Sequence, residues 1–252
     1  MFWWQAQAGD GLTVAFTNTA AGNLALHVGD DPAQVRRRRA ALEQHMDVPA
    51  GSLAFMNQVH SNVVATVPRL RTPRTDSSPV SSEGEFSAAE GPAGDAPTAD
   101  ALLSPDGSVP LAVMVADCVP VVLAGRSGTG VVTAVAHAGR RGLLTGILAN
   151  TVQDMRAAGA LSLRAWIGPA VCGSCYEVPP AMLEEAAEIL PAVRSRTRWG
   201  TPALDLPGGA QAQLVDLDVD VLRVGGCTLE SDDLYSHRRS SAAGRFAGLV
   251  WR

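Results

Sequence analysis

Not one of the 20 basic residues in this 252-residue chain is a lysine; all are arginines. That absence removes lysine Schiff bases, lysine general bases and the Walker-type phosphate loop, each of which needs an ammonium group. Phosphate or carboxylate must instead be held by guanidinium forks, backbone amides or helix N-termini. Long hydrophobic runs are also missing, since none approaches the roughly 20 residues that a membrane helix requires. The opening Met1-Phe2-Trp3-Trp4-Gln5 has neither the basic leader nor the apolar stretch of a secretory signal. A cytoplasmic chain with no membrane partner is expected. The net charge of −5 provides no general basic surface, so nucleic acid is not an expected partner either. Histidine is scarce, at positions 27, 45, 60, 137 and 237, and no His-x-His pair occurs. A three-site copper oxidase needs far more imidazoles than these.

The hydrophobic share of 46% against 18% charged residues allows a full core, in one large domain or two small ones. Strand-like patterns cover Leu12–Phe16, Leu53–His60, Val113–Ala116, Val131–Ala136, Leu163–Ile167, Val221–Val224 and Phe246–Trp251. Asp31 followed by Pro32 reads as a helix start, running through the arginines at 36 to 39 to about His45. Four consecutive arginines point nearly all round a helix, so that run reads as a solvated face. A second helix is expected beyond Gly142, its apolar face made by Leu144, Ile147, Leu148, Val152 and Met155, with Gly159 as its stop. Further helices are expected at Pro180–Leu190 and Gly209–Leu217. Residues 69–99, rich in Ser, Pro, Gly and Ala, have too little apolar area to offset ordering their backbone and read as a flexible loop.

Chemistry concentrates at strand ends. One apolar run closes on Asp117-Cys118, another on His137-Ala138-Gly139, and a third on Asn57-Gln58-Val59-His60. A cysteine and two histidines suit zinc with one open coordination position, or copper with a weak axial methionine such as Met114. They equally suit a thiol–imidazole pair, with Cys118 as nucleophile and His137 as base. Asn57 and Gln58 are candidate substrate contacts, and Asp117 is a candidate proton carrier by position. Arg141 at a helix start, with Arg238, Arg239 and Arg245 near the C-terminus, are candidate phosphate holders. Cys172-Gly173-Ser174-Cys175 has the spacing of half a zinc ribbon or of a redox pair, but Cys227 stands alone in its segment and reads as core. In a reduced compartment the four cysteines are expected to be thiols or ligands.

Taken in order, Asn57-Gln58-Val59-His60, Ala116-Asp117-Cys118-Val119-Pro120, His137-Ala138-Gly139-Arg140-Arg141-Gly142, Ile167-Gly168-Pro169, Cys175-Tyr176-Glu177-Val178 and Ser236-His237-Arg238-Arg239 with Gly244-Arg245 resemble one family closely. It is the laccase-domain family, long labelled polyphenol oxidase and since recognised as zinc-dependent purine nucleoside phosphorylases. The resemblance runs from Leu26 to the last residues and implies a single α+β domain over 1–252, of mixed sheets flanked by helices, with a fold related to toxin deamidases. It implies zinc on His60, Cys118 and His137, with copper as an alternative occupant in vitro. It further implies phosphorolysis of adenosine, inosine and methylthioadenosine, and deamination of adenosine. The alternatives are a Cys–His hydrolase or amidase, including one that edits peptidoglycan precursors, and a copper-dependent polyphenol oxidase. The chain departs from the family's pattern at Thr17–Gly22, at Arg140 in place of an aromatic residue, and at Cys172.

Overall fold

Why several apolar runs here lack the alternation of a half-buried strand becomes plain from the layers they occupy. The computed structural model describes residues 1–67, 96–128 and 130–252. Its strands are β1 (Phe2–Gly9), β2 (Leu12–Thr17), β3 (Val64–Thr66), β4 (Ala101–Ser104), β5 (Leu111–Val115), β6 (Val119–Ser127), β7 (Gly130–Ala138), β8 (Ser162–Ile167), β9 (Arg194–Arg196), β10 (Pro202–Leu204), β11 (Asp220–Arg223) and β12 (Phe246–Trp251). The helices are α1 (Pro32–His45), α2 (Arg140–Leu144), α3 (Ile147–Ala157), α4 (Pro180–Ile189) and α5 (Leu206–Asp216).

Two sheets face one another. A four-stranded antiparallel sheet has the order β1-β2-β12-β5, and a six-stranded mixed sheet has the order β11-β8-β6-β7-β4-β3. Among the described residues the parallel strand pairs are at the two edges of the larger sheet, β11 with β8 and β3 with β4. Along β5 the side chains alternate between two cores: Leu111, Val113 and Val115 pack between the sheets, whereas Ala112 and Met114 pack with Leu42 and Met46 of the α1 region. The central strands of the larger sheet do the same, with Val122 and Val135 facing the smaller sheet and Val121, Leu123, Ala134 and Ala136 facing α3 and α5. A strand buried on both faces has no polar side to show, so it reads as an unbroken apolar run. The result is an α+β domain of four layers: helix, sheet, sheet, helices.

α1 starts as its sequence predicts, with the Asp31 side chain accepting from the Ala33 amide at 2.9 Å. Its arginine run is less solvated than expected. Arg36 and Arg37 are exposed, but Arg38 pairs with Asp30, and Arg39 donates to the Leu24 carbonyl at 2.9 Å and lies 3.7 Å from the Phe55 ring centroid. The helix expected beyond Gly142 is two helices, because Gly146 takes a left-handed φ of 94° between α2 and α3. Residues 53–60 form no strand; they make only isolated bridges, Ala54 to Leu111 and Asn57 to Thr98. Most of the expected 69–99 loop, residues 69–95, lies outside the described residues. Of its described end, residues 96–98 are exposed and Ala99 is fully buried.

The feature that positions the chemistry is the crossing from β5 to β6. There the chain leaves the smaller sheet and enters the larger one through Asp117, at φ 85°, and Cys118. In the β6–β7 ladder Pro120 then stands opposite His137, which brings the thiol segment beside the imidazole.

Candidate metal centre

A buried carboxylate that sequence reasoning missed organises this site. Asp100, fully buried at the entry to β4, accepts from His137 Nδ1 at 2.8 Å. It also accepts from the backbone amides of Val59 (3.2 Å), His60 (2.9 Å) and Ser61 (2.6 Å), and from the Ser61 hydroxyl (2.7 Å). One side chain thereby fixes both histidine-bearing segments. His60 sits at φ 60°, a backbone state that costs about 1–3 kcal/mol in a residue with a Cβ and persists only where its surroundings impose it. The three amides converging on Asp100 impose it here.

With Nδ1 of His137 donated to a carboxylate, Nε2 is left to face Cys118, the arrangement that orients a metal-binding imidazole. The His60 and His137 rings lie edge to face, 4.7 Å apart, and His60 Nε2 is 3.7 Å from Cys118 Sγ. The three ligand atoms all lie within 4.8 Å of one another. Tetrahedral zinc bonds of about 2.0–2.3 Å put nitrogen and sulfur ligands roughly 3.3–3.8 Å apart, so the donor set and its spacing fit zinc. His137 is buried, Cys118 half-buried and His60 exposed, so the cluster reaches the surface on one side. Gly139 makes this approach possible: a Cβ there would lie 2.7 Å from His60 Cδ2 and 3.2 Å from Cys118 Sγ.

The electrostatics favour a thiolate. Burial opposes ionisation of Cys118, but the charges and hydrogen bonds of His137 and His60 outweigh it and bring the thiol down to about 6. Burial likewise disfavours charge on His137, yet the Cys118 thiolate and Asp100 raise it to about 9. Asp100, despite its own desolvation, is held well below the usual carboxylate range by His137 and Ser61.

The other predicted residues divide. Both oxygens of Asp117 brace neighbouring chain, Oδ1 accepting from the Thr228 hydroxyl at 2.6 Å and Oδ2 from the Arg238 amide at 2.7 Å. Gln58 pairs with the backbone of Met114, its Nε2 donating to the carbonyl at 2.7 Å and its Oε1 accepting from the amide at 2.9 Å. Its two polar atoms are therefore spent on β5 and not on a substrate. Asn57 is exposed and makes one long bond, 3.5 Å, to the Thr98 hydroxyl. Met114 lies under α1, with Sδ 3.8 Å from Arg39 Nη2, and so does not serve as the axial copper ligand its position in the sequence suggests.

Among the arginines, Arg239 is exposed but curls back over its own loop, donating to the carbonyls of Thr228 (3.0 Å), Ser231 (2.9 Å) and Leu234, which makes it a clamp on that loop. Arg245 donates to Ala243 and Gly244 carbonyls, and its charge acts on Cys118 and Asp117. The Arg238 guanidinium lies 4.2 Å from the Tyr176 ring centroid. Arg141, exposed on α2, has no side-chain hydrogen bond or ion pair among the described residues. Cys227 is not the core residue its segment suggests. It is half-buried and stands beside Cys172, Cys175 and Glu230. Only folding could reveal that group, whereas Asp100 left a faint signal: one acidic residue at the head of the apolar strand Ala101–Leu103.

Residues 11–252 match the family model described as multi-copper polyphenol oxidoreductase laccase. Purine nucleoside phosphorylase ORF3 of Streptomyces griseus is 42% identical over 232 residues, covering 91% of this chain and 86% of that protein. Purine nucleoside phosphorylase BQ2027_MB2173C of Mycobacterium bovis is 39% identical, covering 91% and 84%. Among solved structures, protein NMB0706 of Neisseria meningitidis superposes with a TM-score of 0.72 at 32% identity, covering 99% of this chain and 97% of that one.

Proposed function

Because the chain belongs to the multi-copper polyphenol oxidoreductase laccase family, and relatives of 39–42% identity carry the name purine nucleoside phosphorylase, we propose that it cleaves purine nucleosides by phosphorolysis at a zinc centre. The observation that carries this reading is the Asp100-braced set of His60, Cys118 and His137, with its ligand atoms within 4.8 Å of one another. Zinc held by these three would supply Lewis-acid stabilisation of developing charge. In the reaction an oxygen of hydrogen phosphate attacks ribose C1′, the bond from C1′ to the purine nitrogen breaks, and the base leaves with the proton that the phosphate gives up. Arg141 and Arg238 hold the phosphate, since their guanidiniums are not consumed by the fold as that of Arg239 is. Asp100 keeps His137 in one tautomer and one orientation, while Asp117 locks the loop bearing Arg238 to the residue beside Cys118. Adenosine deamination at the same centre is part of this proposal, as is a cytoplasmic setting. The four free cysteines agree with a reducing compartment, and among the described residues no helix is long and apolar enough to cross a membrane.

One observation favours a second reading. Cys118, His137 and Asp100 stand in the order nucleophile, base, orienting carboxylate, which would serve a thiol hydrolase. Its test is metal dependence. Zinc-loaded and chelator-stripped protein are incubated with adenosine, inosine and methylthioadenosine, with and without phosphate, and the bases and sugars released are identified. Ribose 1-phosphate formed only by the loaded protein supports phosphorolysis. Full activity in stripped protein, or no phosphate dependence, overturns it.

A further inference from the structure

Fifty-odd residues of chain separate the Cys172/Cys175 pair from Cys227, yet the fold seats all three sulfurs and a Glu230 oxygen within 4.8 Å of one another. The pair comes from the turn after β8 and Cys227 from the turn after β11, two parallel neighbours whose extensions remain bridged at Ala170 and Cys227. The two strand extensions are joined by backbone bonds, Ala170 N to Gly226 O at 3.3 Å and Thr228 N to Ala170 O at 3.1 Å. Across the gap the Cys172 amide points at Cys227 Sγ at 3.5 Å, and within the first turn the Ser174 amide points at Cys172 Sγ. Amide donors aimed at sulfur, across a Cys-x-x-Cys turn closed by Cys175 N to Cys172 O at 2.9 Å, are what a thiolate ligand pair requires to spread its charge. Arg198 completes the surroundings, donating to Cys175 Sγ at 2.9 Å and pairing with Glu230.

We propose that Cys172, Cys175, Cys227 and Glu230 form a second, structural site for a zinc-class divalent ion, distinct from the His60/Cys118/His137 centre. Three soft sulfurs and one carboxylate are a four-donor set with no water position required, the composition of a closed structural site. Once the thiols are deprotonated, the set carries four negative charges. Two are cancelled by the ion and one more by Arg198. A disulfide would use two of the sulfurs and leave the third thiol and Glu230 unexplained. The ion's task is mechanical: it ties the segment carrying Tyr176 to the segment carrying Thr228 and Arg238. Binding releases up to three protons and is therefore favoured by rising pH.

The test uses the full-length chain purified under reducing conditions with no metal added. Elemental analysis should find two zinc per chain, falling to one in C172S/C227S and also to one in H60A/H137A. Zinc X-ray absorption on the unaltered chain keeps the proposal falsifiable if either variant does not fold. Its spectrum should average two sulfur ligands per zinc, the mean of one thiolate at the first centre and three at the second. One zinc per chain with one sulfur ligand overturns the proposal. So does mass-spectrometric detection of a Cys172–Cys175 or Cys172–Cys227 disulfide as the predominant form. Neither result bears on nucleoside turnover at the first centre.

Discussion

The two thiol-bearing clusters, one with a single sulfur between two imidazoles and one with three sulfurs and a carboxylate, behave in opposite ways. At the first, Cys118 is brought down to about 6 by two imidazoles, and a buried carboxylate sets the orientation of one of them. At the second, Cys172 is pushed up to about 12 by burial and by the neighbouring thiol of Cys227. Thiol chemistry is set by which charges the fold supplies nearby and not by the residue. The first cluster is poised for reaction even before a metal arrives. The second gains its charge only when an ion displaces its protons.

The strongest way to break this contrast is alkylation of metal-free protein. At pH 7 a thiol titrating at about 6 is mostly ionised, while one at about 12 stays protonated, so iodoacetamide should modify Cys118 several orders of magnitude faster than Cys172. Peptide mapping over time reads this directly, and equal rates would erase the distinction. The Cys118 rate should also lose half its value as pH falls through about 6, the direction fixed by a lowered acid.

Next in size is Cys118→Ala, which should reduce nucleoside turnover on the order of 10³-fold and remove zinc from the first centre. The same assay on Cys227→Ser should show the first zinc retained. Turnover that survives Cys118→Ala would disconnect this centre from the reaction.

Asp100→Asn should lower metal affinity or activity about 10–100-fold, as loss of a carboxylate behind a ligating histidine does. It also changes acid stability in a definite sense. The Asp100 carboxyl has a folded value below its ordinary 3.8, so its contribution is present above 3.8 and fades as pH falls below it. Denaturation midpoints measured downward from pH 5 should therefore drop less steeply in the variant than in the parent. Parallel curves would mean that Asp100 is not a buried anion in the folded chain.

The smallest effects separate two arginines. Arg141→Ala should raise the phosphate KM about tenfold with an unchanged melting temperature, because an exposed guanidinium contributes little to folding. Arg239→Ala should do the reverse. Losing its carbonyl clamp, at about 2 kcal/mol, corresponds to a fall of roughly 4–8 °C for a chain of this size. If both variants move KM alone, Arg239 binds phosphate after all.

Much of this is legible in the sequence where physics is local. Asp31-Pro32 marks a helix start because capping involves neighbours in sequence, and the apolar runs at 113–116 and 131–136 mark strands buried on both faces. His60, Cys118 and His137 stood out because each ends such a run or an extended segment. What stayed hidden depends on distant chain meeting. Asp100 matters through residues 59–61 and 137, Cys227 through 172 and 175, and Gln58 through the edge of β5. No periodicity encodes those meetings. Arg238 and Arg239 are adjacent and chemically identical in sequence, and only the loop's curvature sends one outward and the other onto carbonyls.

The crossing at Asp117-Cys118 also governs how fast the first centre can open. Cys118 joins a strand of the smaller sheet to a strand of the larger, and His137 lies in the larger sheet itself. A ligand carried by an exposed loop would be surrendered during local fraying, but this pair is held by the central β6–β7 ladder of the larger sheet and separates only when that ladder opens. Ion escape from the first centre should then keep pace with global opening, so that a colorimetric chelator in the cuvette becomes a stopwatch for unfolding of the whole domain.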